Sequence, residues 1–140
     1  MRRLYGNIII PEAVFREIAT DGADLPGAVE VQTASWIATQ AVKNQLILRT
    51  LHLELDAGEA AAIALGLEMS ADLLLLDEQL ARGVARRLGL KFIGLLGILI
   101  EAKQRQIILS VKPLLDALKD EAGFWIAPRL YHYVLETAGE

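Results

Sequence analysis

Acidic side chains stand at the junctions of one stretch, Asp56 to Leu88, and carboxylates brought together either hold a cation or push one another's pKa up. Asp56-Ala57-Gly58-Glu59 opens a helix, and Asp77-Glu78 follows an apolar run, Leu73-Leu74-Leu75-Leu76. Consecutive leucines are apolar on both alternating faces, which predicts a strand of a parallel sheet covered by helices on both sides. In open α/β sheets, ligands bind in the crevice beyond the carboxyl ends of the strands. Asp77 and Glu78 are therefore the sharpest functional signal in the chain. The same residues have structural uses. Asp56 and Glu59 fit a capping box, Asp at N-cap and Glu at N3, and for Asp56 that is the reading adopted. Asp77 could equally cap the helix that follows, Glu78 suits any helix N-terminus, and Glu17, on an earlier helix, could be a solvated residue.

The elements that must position these acids follow from periodicity. The helix after Asp56 carries Ala60, Ile63, Ala64 and Leu67 at the i, i+3, i+4, i+7 spacing of one buried face. Ile8-Ile9-Ile10-Pro11 reads as a short strand, with Pro11 in the first turn of a helix through Ala13, Val14, Phe15 and Ile18. Asp21 to Gly27 is a loop by its breakers, Ala28–Ser35 a short helix, and Gln45–Leu55 helical, while Trp36–Val42 fits strand or loop. Downstream, Gly89 is placed to end a helix and Phe92-Ile93 to form a brief strand. Helices are expected over Leu95–Gln106, from Ser110 to Gly123, and from Pro128 onward, with Phe124-Trp125-Ile126 extended. Strands alternating with helices predict an α/β fold: a short parallel sheet flanked by helices.

A chain of 140 residues suits a single domain spanning 1–140. Hydrophobic residues make up 54% and mean hydropathy is +0.37. Yet no charge-free run exceeds Val31–Val42, well short of the roughly 20 residues a bilayer span needs. The start lacks the apolar continuation of a secretory signal, and the absence of cysteine excludes disulfides and thiolate chemistry, so a cytoplasmic protein is the default. The net charge of −4 does not advertise a nucleic-acid binder. A local patch of Arg82, Arg86, Arg87 and Lys91 offers Arg82 and Arg86 as nucleic-acid contacts, against the plainer reading of a solvated helix face. His52 and His132 have no partner at ligand spacing, Ser35 and Ser110 no nucleophile context, and Gly94 and Gly97 no phosphate-loop lysine. Trp36, Trp125, Tyr131 and Tyr133 read as core or interface aromatics.

Three segments together resemble a known family: Ile9-Ile10-Pro11-Glu12-Ala13-Val14-Phe15-Arg16-Glu17-Ile18, then Leu55-Asp56-Ala57-Gly58-Glu59-Ala60-Ala61-Ala62-Ile63-Ala64-Leu65, then Leu74-Leu75-Leu76-Asp77-Glu78-Gln79-Leu80-Ala81-Arg82. They look like the PIN-domain proteins, within them a prokaryotic branch related to the VapC-type toxin nucleases, and the similarity covers essentially the whole chain. The resemblance implies a PIN-like three-layer sandwich and a ribonuclease dependent on Mg²⁺ or Mn²⁺. By position it makes Glu17, Glu59 and Asp77 catalytic and metal-holding, with Glu78 an auxiliary metal ligand. Such a metal, held by carboxylate oxygens, lowers the pKa of bound water and neutralises phosphate charge. The family's usual opening strand, which ends in Asp, is not matched, so the chain is expected to be an N-terminally truncated member.

Two main readings follow. One is a Mg²⁺/Mn²⁺-dependent ribonuclease of the VapC toxin type, acting on RNA and paired with a small antitoxin protein. The alternative is a non-catalytic homo-oligomeric binding or regulatory protein that keeps the fold. A third is a protein binding a small phosphorylated ligand at the same crevice. Self-association, as a homodimer or larger, is expected from the apolar faces Leu95, Leu96, Leu99, Ile100 and Leu130, Tyr131, Val134, Leu135.

Overall fold

The β-branched run near the start extends as predicted. In the computed structural model, which describes residues 1–140, a single helical turn α1 (Arg2–Tyr5) leads into β1 (Ile8–Pro11). Pro11 ends that strand at φ −63°, and α2 (Glu12–Phe15) continues without a break into a π-helical segment, Arg16–Asp21. A wider turn of this kind inserts an extra residue into the helix and rotates every side chain that follows. After the predicted loop, α3 (Ala28–Thr33) starts at Gly27, whose φ of 97° is open to glycine and strained for other residues. The ambiguous stretch is a strand, β2 (Ile37–Gln40), parallel to β1 with Ile8 opposite Ile37.

Asn44 caps α4 (Gln45–Leu51) by accepting the Ile47 N–H at 3.1 Å. Then come α5 (Ala57–Met69), β3 (Leu74–Leu75), α6 (Gln79–Arg87) and β4 (Phe92–Ile93). The last three helices are α7 (Leu95–Gln104), α8 (Lys112–Asp120) and α9 (Pro128–Ala138), the latter two each with Pro at the helix start, where its missing N–H costs nothing. Leu4–Ile93 form one compact unit and Gly94–Glu140 another.

The α/β alternation is as predicted, but the strands make two parallel pairs, β1 with β2 and β3 with β4, where one short sheet was expected. The N–H groups of Leu74 and Leu76 both donate towards β4, to the carbonyls of Lys91 and Ile93. The leucine run is also covered on one face alone. Leu74 and Leu76 are buried, whereas Leu73 and Leu75 are 40% and 47% exposed.

In the first unit, α5 packs against α2, α4, α6, β1 and β3. One apolar face was predicted for it; instead Ala60, Ala61, Ile63, Ala64, Leu65 and Gly66 are all buried, so the helix is enclosed nearly all round. Its small residues allow this. A Cβ at Gly66 would stand 2.9 Å from Leu74 Cδ1, so glycine is what lets β3 lie against the helix. Around it Leu55, Ile63, Leu74, Leu76, Val84 and Ala85 form a core, in which fully burying Ile63 contributes about 2 kcal/mol.

The second unit centres on Val111, Leu115, Ile126 and Val134. Leu96, Leu99, Ile100, Tyr131 and Leu135 pack against that cluster, so these residues of the apolar faces put forward for self-association serve this unit's own core, while Leu130 stays 42% exposed. Phe124 to Ile126 forms no strand; Ile126 turns inward and Trp125 is left 82% exposed. Trp125 and Tyr133 are thus surface residues and not core aromatics.

Candidate functional site

The acids meet at the N-termini of α5 and α6, both in the first unit. Asp56 is the N-cap residue of α5 in extended geometry, φ −65° and ψ 163°, yet its side chain makes no capping hydrogen bond. The cap position is as predicted; the use of its side chain is not. One carboxylate oxygen each from Asp56, Glu59 and Glu78 lie within 4.8 Å of one another. Glu59 occupies the third position of α5, and Glu78 is the N-cap residue of α6, likewise with no capping bond. Two helix starts therefore aim three acids at one point, and the positive ends of both helices reduce the cost of gathering them.

Glu59 carries the strongest electrostatic signature. Its Oε2 is buried and has no hydrogen-bond partner. Its pKa is raised from 4.5 to about 7, first by desolvation, then by the Glu78 carboxylate alongside and the charge of Asp56; the Asp56 backbone N–H acts in the opposite direction. A half-buried acid facing two others, with one oxygen unpartnered, is what a cation would relieve. The donor set is all oxygen, which suits Mg²⁺ or Mn²⁺ and not a thiolate- or imidazole-seeking metal.

The other acids named from sequence, Glu17 and Asp77, are not part of this group. Glu17, the second residue of the π-helical segment, brings its carboxylate to the first turn of α5: its Oε2 and Oε1 lie 3.1 and 3.3 Å from where a Cβ on Gly58 would be. Asp77 precedes Glu78 in the chain, but it is outside the three-acid group and pairs with Arg82 Nη2 at 3.3 Å. The member of the group that sequence reasoning assigned to capping alone is Asp56. Its spacing to Glu59 was visible, but that spacing is shared by capping boxes and converging ligands alike.

Both arginines put forward for nucleic acid are engaged within the chain. Arg82 Nε donates to the Leu76 carbonyl at 2.8 Å, and Arg86 lies over the Phe92 ring at 5.5 Å. Arg87 pairs with Glu54 at 2.9 Å, with both side chains largely exposed. Next to the acids, an open concavity of about 480 Å³ is lined by Glu78, Gln79, Leu80, Gly83, Val84 and Arg87. No helix is long and apolar enough to cross a membrane.

Compared with known proteins, the chain matches the family model DUF3368, described as a PIN domain, over residues 1–140. No curated protein and no solved structure gives a significant match. With a match along its whole length, and with acids gathered at the starts of two helices beside a parallel strand pair, the chain belongs to the PIN-domain family.

Proposed function

We propose that this protein is a Mg²⁺- or Mn²⁺-dependent ribonuclease of the VapC toxin type, with Asp56, Glu59 and Glu78 holding the metal. The observation that carries the reading is the approach of these three carboxylates to within 4.8 Å of one another, one of them with a buried, unpartnered oxygen. When bound, the divalent ion supplies a low-pKa water and neutralises charge on the phosphate under attack. The protein's own part is placement. Glu59 sits at the raised-pKa position and Glu78 and Asp56 flank it; Glu17 stands against the adjacent turn. Asp77 contributes from the side, held by Arg82, which also donates to the backbone at the end of β3. An RNA strand would approach along the α6 concavity that Glu78 shares, where Arg87 is the exposed cation. A small antitoxin protein that covers this rim would silence it.

Calorimetric titration of Mn²⁺ into the wild-type chain, Asp56→Ala and Glu78→Ala tests the metal site, and RNA cleavage with and without chelator tests the activity. Binding weakened in both variants, with cleavage abolished by chelator, supports the proposal. Equal binding in all three proteins, or cleavage indifferent to chelator, overturns it. Metal binding without cleavage under any condition would favour a non-catalytic, homo-oligomeric member that keeps the fold.

A further inference from the structure

We infer that Gly58 is a positioning residue, whose missing side chain lets the Glu17 carboxylate close against the first turn of α5, the turn that carries Glu59. The inference rests on the metal-site reading above for its consequence, though not for the contact itself. Gly58 is the second residue of α5, inside a helix, where glycine is a poorer choice than alanine unless something needs the space. Something does. A Cβ there would stand 3.1 Å from Glu17 Oε2 and 3.3 Å from Oε1, both tighter than ordinary contact, while Val14 Cγ2 at 3.4 Å would be tolerated. No positive φ demands glycine at this position.

Helix α2 packs on α5, and Glu17 follows it at the start of the π-helical segment, with Phe15 and Arg16 still in regular α-helical geometry at φ −56° and −62°. The space left at Gly58 thus receives a carboxylate carried on from the helix packed against it. An alanine at 58 must push that carboxylate away from the first turn of α5, because the backbone of α5 on the other side is held by its enclosed packing.

The test is a double-mutant cycle between Gly58→Ala and Glu17→Ala, read in two ways. By Mn²⁺ calorimetry, Gly58→Ala weakens binding about tenfold, the scale of changes made just outside a metal's ligands. In the Glu17→Ala background the same substitution changes affinity by less than about twofold. By metal-free thermal unfolding, Gly58→Ala raises Tm in the Glu17→Ala background, where helix propensity acts alone, but not when Glu17 is present. Equal Tm gains in both backgrounds overturn the contact. Unchanged Mn²⁺ affinity in Gly58→Ala, with the Tm coupling intact, overturns the positioning role. Absence of Mn²⁺ binding by the wild-type chain overturns the metal reading on which that role depends.

Discussion

Glu59→Gln should stabilise the protein in the absence of metal, and the gain should depend on pH in one direction only. The folded-state pKa of Glu59 is raised from 4.5 to about 7. Between those values the native state holds a proton that the unfolded chain has released. Stability is therefore fully present below about pH 4.5 and is lost as pH rises through 7. With 1.36 kcal/mol per pH unit, the whole displacement sets a ceiling of about 3 kcal/mol at pH 8. Much of the carboxyl group's surroundings remains open to solvent, and screening brings the expected effect to about 1 kcal/mol. In a chain of this length that is a rise of about 4 °C in Tm for Glu59→Gln over wild type at pH 8 in EDTA. At pH 4 both side chains are neutral and the difference disappears. Differential scanning calorimetry at both pH values, with and without Mn²⁺, is the assay. Added Mn²⁺ should reverse the order at pH 8, since the wild-type chain alone retains the full ligand set. A Gln variant no more stable than wild type at pH 8, or one whose advantage persists at pH 4, refutes the account of Glu59 as a desolvated, repelled acid.

Three further outcomes follow from named contacts. Asp56→Asn, which removes charge from a side chain that makes no capping bond, should weaken Mn²⁺ binding about tenfold while costing less than the roughly 1 kcal/mol of a lost cap; calorimetry and urea unfolding read the two effects separately. Gly66→Val should cost about 2 kcal/mol in urea unfolding, because even a Cβ would stand 2.9 Å from Leu74 Cδ1 in an enclosed helix. Glu140→Gln should lower stability at neutral pH. Its carboxylate accepts from the Ser110 hydroxyl and from the Val111 N–H at 2.6 Å, and its pKa is held down from 4.5 to about 2. That contribution is present above about pH 4.5 and fades as pH falls towards 2, so the gap between variant and wild type in denaturant midpoints should be smaller at pH 3 than at pH 7.

The contrast between what the chain announces and what it withholds has a physical basis in α5. Its start at Asp56 and the strand after it were legible, because caps, breakers and periodicity are local properties. Its enclosure on nearly all sides was not, since small residues such as Ala61 and Gly66 carry little hydrophobic signal and matter through what they allow to approach. The same reasoning explains the leucine run. Four apolar residues in a row fit a strand buried on both faces, but whether Leu73 and Leu75 are covered depends on neighbours outside the run, and here they are not. The apolar stripes of α7 and α9 were legible as stripes, while their mutual packing around Val111 and Leu115 was a fact of tertiary placement.

The candidate site obeys this division. Asp77 and Glu78 could be named because they follow a junction that periodicity marks, whereas Glu17 and Glu59 were named through the resemblance to the family. Asp56 could not be promoted over its capping role, because a side chain's choice between its own helix and a carboxylate more than twenty residues away is settled in three dimensions. Arg82 and Arg86 illustrate the converse: a cluster of cations in sequence suggests a binding surface, yet Arg82 turns to the Leu76 carbonyl and Arg86 to the Phe92 ring. Charge patterns in sequence thus identify which groups need partners. Whether the partner is the protein's own backbone, a neighbouring acid or a metal ion follows from which helix ends converge. In this fold the converging ends are those of α5 and α6, and it is there, among three acids, that one Glu59 oxygen is buried without a hydrogen-bond partner.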